Sequence, residues 1–290
     1  MKFDKNTKIL IVGLGLIGGS YAKALSDEGY FVGAIDKKKS SVEYALKNGL
    51  IQVGETSVKK DFVKDFDLIV FALYPHDFIN WIKEYQSSIK SGALITDVTG
   101  VKSFVVENVQ KILRSDLEFV GAHPMAGKEV SGVENADPKI FVGANYIVTP
   151  TKRNTDENVQ AVQDLGRALG FERVSSLSPE EHDETVGFLS HLTHCIAVSL
   201  MVSKKSHHLA EYTGDSFRDL TRIAKINDEM WSELFLANKD ELLKQMDLFE
   251  EKFNQLKEDI KNDNREKIRE TLRESTARRK VFDKDAKETK

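Results

Sequence analysis

The sequence contains very little cysteine and proline and has no strong net charge. Its 290 residues include one cysteine, Cys195, and five prolines, and the formal net charge is −4. A single cysteine excludes an internal disulfide and is typical of a reducing compartment. The small acidic excess gives no reason to expect nucleic acid or an anionic membrane as a partner. We therefore expect a cytoplasmic globular protein, long enough for two cores.

Long hydrophobic runs are also missing. No stretch approaches the roughly 20 consecutive apolar residues that a membrane-spanning helix needs. The first residues, MKFDKNTKILIVG, lack the arrangement of a signal peptide, because the apolar run begins late and glycines interrupt it. The sequence therefore predicts no membrane segment.

Short apolar runs alternate with amphipathic segments over residues 1–176. The runs are rich in Val, Ile, Leu and Phe, which is typical of strands covered on both faces. The predicted strands are Lys8–Val12, Phe31–Ile35, Asp67–Ala72, Ala93–Asp97, Glu118–Ala122, Asn145–Val148 and Phe171–Ser175. Strand–helix alternation of this kind predicts an α/β fold, with a doubly wound, Rossmann-type parallel sheet in residues 1–176.

The strand pattern stops after residue 176, and residues 177–290 show only helical patterning. Ser178 is predicted to cap a helix that has Pro179 in its first turn. Residues 186–201 are apolar on nearly all sides, which predicts a buried helix. Apolar residues also recur at spacings of four and three, as on an amphipathic helix: Leu242, Met246, Phe249, Phe253, Leu256 and Ile260. We predict an all-helical substrate and dimerisation domain, a homodimer, and a frayed tail after Phe282.

A glycine-rich motif follows the first predicted strand. It has the form G-x-G-x-x-G and comprises Gly13, Leu14, Gly15, Leu16, Ile17 and Gly18. In a dinucleotide site the first glycine allows the tight turn, the second lets a pyrophosphate approach, and the third lets the helix pack closely. The helix N-terminus then binds the phosphates. The motif alone is weak, but its position between a strand and a helix predicts a dinucleotide site.

Asp36 ends the second predicted strand, about 20 residues past the motif. A carboxylate there binds the ribose hydroxyls and repels a 2′-phosphate, which favours NAD over NADP. The lysines at 37–39 weaken that preference, because they can pair with a phosphate. Leu73 and Tyr74 follow a further strand, and either contact the cofactor or form a plain strand-to-helix turn.

Several histidines and arginines are candidates for the reaction chemistry. His123 follows an apolar strand at the expected reaction centre, where a histidine can accept a proton near neutral pH. His191 and His194 are three residues apart, so they share a helix face as a weak candidate metal pair or as core histidines. His182-Asp183 precede them. Arg218 and Arg222, four apart, suit carboxylates or form surface ion pairs.

Taken together, these segments resemble the prephenate/arogenate dehydrogenase family, in order and over about residues 8–231. The matching segments are Gly13–Ser20, Thr96–Lys102, His123–Gly127, Ser190–His194 and Phe217–Ala224. The resemblance implies an NAD-dependent oxidative decarboxylation of prephenate to 4-hydroxyphenylpyruvate in tyrosine biosynthesis. We expect no metal, because no carboxylate or cysteine stands at a suitable third-ligand spacing from His191 and His194. The resemblance also implies that His123 takes the proton of the substrate hydroxyl and that Arg222 binds a substrate carboxylate. His191, His194, Glu129 and Arg218 match positions that line or gate the substrate pocket.

One departure concerns the catalytic hydroxyl. Many members have a serine where this chain has Gly100, and we expect Thr99 as the candidate substitute. Three alternatives stay open: an arogenate dehydrogenase, a 3-hydroxyacid or 6-phosphogluconate-type dehydrogenase, and a non-catalytic NAD-binding module. The second alternative is expected to use a lysine base, and the third to lack the residues at positions 123 or 222.

Overall fold

Two β-sheets form the N-terminal part of the chain. The computed structural model describes residues 1–205 and 208–282. Its first sheet is parallel and six-stranded, in the order β3-β2-β1-β4-β5-β6, and its second has the order β7-β8-β9. The strands are β1 Lys8–Val12, β2 Phe31–Ile35, β3 Val53–Glu55, β4 Leu68–Phe71, β5 Leu94–Asp97, β6 Glu118–Phe119, β7 Gly121–Pro124, β8 Asn145–Thr149 and β9 Arg173–Ser176. This strand order confirms the predicted Rossmann-type sheet.

Helices connect the strands and make up the rest of the described chain. They are α1 Leu16–Asp27, α2 Lys39–Lys47, α3 Lys60–Val63, α4 Pro75–Tyr85, α5 Ser103–Ile112, α6 Asp156–Ala168, α7 Pro179–Val186, α8 Thr193–Val202, α9 Asp215–Thr221, α10 Asp228–Ala237, α11 Lys239–Lys261 and α12 Arg265–Arg279. A π-helical segment, Gly187–Leu192, joins α7 to α8. Short 3-10 segments lie at Gln86–Ser88, Val133–Asn135, Pro138–Phe141, Leu209–Tyr212, Arg222–Ala224 and Lys280–Phe282.

The parallel sheet has a hydrophobic core on each face. Along β1, Ile9 and Ile11 pack into one buried cluster, while Leu10 and Val12 pack into the other. Successive side chains of a strand point to opposite faces, so an uninterrupted apolar strand needs cover on both sides. This burial confirms the two-sided cover predicted from the apolar runs.

The predicted strand Glu118–Ala122 is wrong as a single element. Its first half, β6, pairs with β5 in the parallel sheet, and its second half, β7, pairs antiparallel with β8. The chain changes sheet at Val120, whose N–H still donates to the carbonyl of Ile95. Gly121 permits the crossing, because a Cβ atom there would lie 2.5 Å from Oγ1 of Thr149. The sequence also missed β3, a short, half-buried edge strand.

The predicted start of α7 is confirmed, and α6 is capped in a similar way. The side chain of Thr155 caps α6, which ends at Ala168 shortly before Gly170, whose φ is +91°. The hydroxyl of Ser178 accepts the backbone N–H of Glu181, and the Glu181 carboxylate accepts the N–H of Ser178. This capping box fixes the start of α7, which carries buried polar residues of the candidate site.

The predicted burial of residues 186–201 is wrong for this single chain. Phe188 is 55% exposed and Met201 is 47% exposed. By length and composition alone, Pro179–Val202 is also apolar enough to cross a membrane, with a mean hydropathy of 1.5 over its best window, but core helices of soluble proteins pass the same test and part of this window is buried. His182 and Asp183 of this stretch are nonetheless buried within the protein, where His182 bonds to His123 of β7 and Asp183 accepts the backbone N–H of Lys102 at the start of α5.

The chain separates into two compact units, residues 1–241 and residues 242–290. In the second unit, Asp263 has a φ of 51° in the turn between α11 and α12. The apolar stripe predicted along this segment does lie on a helix, α11, and several of its members are exposed: Met246, Phe249, Phe253 and Ile260. The domain boundary at 176/177 stays a prediction. The predicted frayed tail lies outside the described residues.

Candidate active site

The glycine loop leaves an open position at the N-terminus of α1. A Cβ atom at Gly13, whose φ is +100°, would lie 2.4 Å from the carbonyl oxygen of Ala72. A Cβ atom at Gly18 would lie 1.9 Å from the carbonyl oxygen of Gly13. The Cβ position of the exposed Gly15, in contrast, has no atom within 4 Å. Leu16 and Ile17 begin the helix, and its first turn carries no acidic residue. The loop therefore fits a pyrophosphate.

The carboxylate of Asp36 connects the end of β2 to the glycine loop. Its Oδ2 accepts the backbone N–H of Leu14 at 2.7 Å, and its Oδ1 accepts that of Lys38 at 2.7 Å. Each oxygen keeps a further lone pair for a ribose hydroxyl. Near the end of β4, the hydroxyl of the half-buried Tyr74 accepts a hydrogen bond from the side-chain amide of Asn227. Leu73, also half-buried, precedes it at the same sheet edge.

His123 lies on β7 with each ring nitrogen in a different environment. Nε2 is 3.7 Å from the position of a Cβ atom at Gly100, on the loop after β5. Nδ1 is 2.8 Å from Nε2 of His182, and Nδ1 of His182 is 2.8 Å from Oδ1 of Asp183. Burial lowers the pKa of His123 well below its ordinary value, and the charges of His182 and Lys102 act in the same direction. His123 is therefore neutral near pH 7, as a general base must be.

A buried ion pair supports the strand that carries His123. The ammonium of Lys102 lies 2.6 Å from Oδ2 of Asp97 and also donates to the carbonyl of Ala122. Burial lowers the pKa of Lys102, and the carboxylate of Asp97 opposes that shift. The hydroxyl of Thr99 is buried in this cluster and bonds to Asp97 and Lys102. The predicted role of Thr99 at the substrate stays a prediction.

His191 and His194 lie on the same helical stretch but in different surroundings. His191 is buried, and burial lowers its pKa to about 4; its Nδ1 lies 3.3 Å from Nδ2 of Asn238. The ring of His194 stacks on Trp231 with centroids 3.7 Å apart. Burial lowers the pKa of His194, whereas its bond to the carbonyl of Ser190 opposes the shift. Both rings are thus held neutral at pH 7, His191 in the core and His194 half-buried against Trp231.

The two predicted arginines have different partners. Arg222 pairs with Glu129, so two predicted site residues from distant parts of the sequence meet. The charges of both residues act on the pKa of His194, which lies close to the pair. The guanidinium of Arg218 instead bonds to Asp215 and to the carbonyl of Thr213. Arg222 is therefore the arginine that the structure brings to the other predicted site residues.

Within residues 1–205 and 208–282, no group of three His, Cys, Asp or Glu side chains is arranged to hold a metal ion. Sequence reasoning assigned no role to His182, Asp183 or Lys102, which the structure places directly behind His123. The available signal was an adjacent His-Asp pair at the start of a helix. That pair could not be connected to His123 without the fold.

The glycine loop lies at the switch point of the parallel sheet, where ligands of such sheets bind, and a neutral histidine lies on β7, the strand that follows this sheet in the chain. The fold and the site together define a dinucleotide-binding oxidoreductase. Residues 21–173 match the family model "Prephenate dehydrogenase, nucleotide-binding domain". Residues 178–274 match "Prephenate dehydrogenase, dimerization domain". The chain belongs to the prephenate dehydrogenase family, which confirms the resemblance found in the sequence.

Individual relatives agree with this assignment. The prephenate dehydrogenase of Bacillus subtilis (strain 168) is 35% identical over 249 residues, which are 82% of this chain and 66% of that protein. The cyclohexadienyl dehydrogenase of Zymomonas mobilis is 29% identical over 96% of both chains. In the crystal structure of prephenate dehydrogenase from A. aeolicus with hydroxyphenyl propionate and NAD+, the protein chain is 34% identical in sequence to this chain. It has a TM-score of 0.87 and covers 96% of this chain and 98% of that one. The chain thus spans just under two thirds of the Bacillus protein's length.

Proposed function

We propose that the chain catalyses the oxidative decarboxylation of prephenate to 4-hydroxyphenylpyruvate, with NAD+ as the oxidant. The observation that carries the proposal is the position of His123. Its Nε2 faces the loop after β5 at the sheet edge where a nucleotide-binding site opens, and its pKa is lowered. Membership of the prephenate dehydrogenase family and the A. aeolicus complex with NAD+ support the substrate and the cofactor.

The residues of the site fit this reaction. The Nε2 atom of His123 takes the proton of the 4-hydroxyl group as the ring carbon is oxidised. Bound NAD+ accepts the hydride from that carbon. As the bond to the ring carboxylate breaks and CO2 leaves, its electron pair makes the ring aromatic, and the proton returns from His123 to the oxygen. The protein therefore needs a neutral imidazole at the start of each turnover.

A dianionic substrate requires a cation near this base. We assign that role to Arg222, because planar guanidinium groups bind carboxylates with two hydrogen bonds. In the described chain Arg222 pairs with Glu129, which holds the guanidinium until a substrate carboxylate competes for it. We propose that His191, His194 and Glu129 line the substrate pocket. The guanidinium of Arg218, in contrast, donates a hydrogen bond to Asp215.

The proposed cofactor is NAD, bound through the residues that the sequence indicated. Gly13, Gly15 and Gly18 leave room for the pyrophosphate, and the carboxylate of Asp36 is placed for the ribose hydroxyls. We also propose that the protein acts in the cytoplasm, as a homodimer formed through residues 177–290, with residues 1–176 as the nucleotide-binding domain. The matched dimerization model and the exposed apolar side chains of α11 support the dimer. Light scattering checks it: a mass near 32.7 kDa would contradict a dimer.

The experiment that tests the activity measures NADH absorbance with prephenate and with arogenate, each with NAD+ and with NADP+. We expect the highest kcat/KM with prephenate and NAD+. A relative from Methanocaldococcus jannaschii, 24% identical and named a probable arogenate/prephenate dehydrogenase, makes arogenate the second candidate substrate. Arogenate differs by an amino group in place of the keto group, so one or two pocket contacts decide the preference. Cofactor binding without turnover on either substrate would instead identify a non-catalytic NAD-binding module.

A further inference from the structure

A chain of three side chains runs from the N-terminus of α5 to the proposed base. Asp183 Oδ1 accepts the backbone N–H of Lys102 at 2.8 Å, and Oδ2 accepts that of Ser103 at 2.8 Å. Oδ1 also lies 2.8 Å from Nδ1 of His182. Nε2 of His182 in turn lies 2.8 Å from Nδ1 of His123. His182 and Asp183 are buried, so these contacts are protected from competing water.

The order of donors and acceptors along this chain follows from the carboxylate. Burial alone raises the pKa of Asp183, but its bonds from His182 and from the two backbone N–H groups outweigh burial, so the net shift is downward and the group is ionised. An ionised carboxylate only accepts hydrogen bonds, so the proton on the facing nitrogen of His182 must be on Nδ1. Burial also lowers the pKa of His182, which leaves that ring neutral and its Nε2 without a proton.

The same reasoning extends one ring further. Because Nε2 of His182 is an acceptor, the hydrogen bond at 2.8 Å requires a proton on Nδ1 of His123. A neutral His123 then carries no proton on Nε2, the nitrogen that faces the loop at Gly100. His182 therefore sets the tautomer that His123 needs as a general base, although His182 contacts only the Nδ1 side of the His123 ring.

We propose that His182 and Asp183 are positioning residues that hold His123 in the Nδ1-protonated tautomer, so that Nε2 is free to take the substrate proton. The backbone N–H groups of Lys102 and Ser103 anchor the carboxylate, as side chains and ions are anchored at helix N-termini. When Nε2 becomes protonated, the Nδ1–H bond to His182 strengthens, and Asp183 stabilises the positive charge. This inference rests on the proposed function for its kinetic consequence, but the tautomer itself does not depend on it.

Kinetics of two variants at His182 provide the first test. His182→Leu removes the acceptor, whereas His182→Gln offers an amide oxygen to His123 and an amide N–H to Asp183. For His182→Leu we expect kcat to fall by about 10- to 1000-fold with the KM for prephenate unchanged, since the lost effect belongs to proton transfer. We expect His182→Gln to stay within about threefold of the original kcat. Equal losses in both variants, or no loss in either, would overturn the proposal.

Nitrogen chemical shifts of histidine side chains provide a readout that needs no turnover. In the unsubstituted protein labelled with 15N-histidine, we expect His123, assigned through the spectrum of a His123→Asn variant, to carry its proton on Nδ1. In His182→Leu we expect the proton to move to Nε2, and in His182→Gln to remain on Nδ1. A proton on Nε2 of His123 in the unsubstituted protein overturns the proposal, even if neither His182 variant folds. Absence of turnover with prephenate would refute the proposed function and leave this result intact.

Discussion

The Nε2 atom of His123 lies 3.7 Å from the position that a Cβ atom would occupy at Gly100. Gly100 does not have a positive φ, and a Cβ atom there would meet Leu234 at 3.5 Å, an ordinary van der Waals distance. A small side chain can therefore be added beside the proposed base. The serine that many family members have at this position can therefore be tested by substitution at Gly100.

We expect Gly100→Ser to raise the kcat for prephenate. The new hydroxyl would reach the space between Nε2 of His123 and the substrate hydroxyl, where one hydrogen bond contributes about 0.5–1.5 kcal/mol, or about 2- to 10-fold in rate. Gly100→Ala is the matched control, because it adds the Cβ atom without the hydroxyl. Steady-state NADH formation compares the two variants. If the alanine variant gains as much as the serine variant, the hydroxyl has no part in the effect.

We expect His123→Asn to lower kcat by about 100- to 10,000-fold while the KM for prephenate stays within a few-fold. Asparagine keeps a polar group of similar size but cannot take a proton near neutral pH. The exposed His208→Asn serves as a control for loss of a histidine elsewhere. Initial rates over a range of prephenate concentrations separate the two constants. Near-normal kcat for His123→Asn would rule out the assigned base.

Local sequence patterns predicted the strands and helices well where the residues of the element itself determine its structure. The apolar runs identified β1 and β2, and the Ser178 cap identified where α7 begins. The split of Glu118–Ala122 into β6 and β7 could not be predicted, because both halves are equally apolar. The two halves differ only in their partners, β5 and β8, which tertiary structure chooses.

The candidate site was predicted as a set of residues but not as a network. Family motifs indicated His123, and the structure brings Arg222 and Glu129 together. The bond between His123 and His182 joins residues 59 positions apart, and no spacing rule connects a strand with a helix that comes after β8, α6 and β9. Thr99 was expected at the substrate because it precedes Gly100, and its sequence position gave no sign that its hydroxyl bonds to the buried side chains of Asp97 and Lys102.

The two arginines of the helical segment should respond differently to the same substitution. We expect Arg222→Gln to raise the KM for prephenate by about 10- to 100-fold, as expected for loss of hydrogen bonds to a charged group, and to leave the KM for NAD+ unchanged. Arg218→Gln is the control, since its guanidinium already bonds to Asp215 and Thr213. A comparable rise in the Arg218 variant would show that both arginines bind the substrate.

Asp36 should set the choice between the two nicotinamide dinucleotides. Its carboxylate repels a 2′-phosphate, so we expect Asp36→Asn to lower the ratio of kcat/KM for NAD+ to that for NADP+ by about 10-fold or more. Asparagine can still accept the N–H of Leu14, which keeps the glycine loop in place. The exposed Asp61→Asn is the control. An unchanged ratio would place the determinant elsewhere, for example in the lysines at 37–39.

We expect acid to lower the free energy of unfolding, because the buried histidines resist protonation in the folded chain. His191 is the histidine for which the size of this effect can be stated. Burial lowers the pKa of His191 to about 4, whereas the ordinary value is 6.5. Between these two pH values the unfolded chain binds a proton that the folded chain does not, so the free energy of unfolding falls as the pH drops from 6.5 toward 4. A shift of this size corresponds to a loss of about 3 kcal/mol from this group.

His191→Gln should remove that part of the pH dependence, because glutamine keeps a polar contact for Asn238 but does not titrate. Urea unfolding at pH 7 and at pH 4 measures the difference for the original chain and the variant, and the exposed His208→Gln is the control. We expect the variant to lose less stability on acidification than the original chain, by about 3 kcal/mol at most. Equal losses would mean that His191 binds its proton as readily in the folded state as in the unfolded one, and that its burial has no electrostatic consequence.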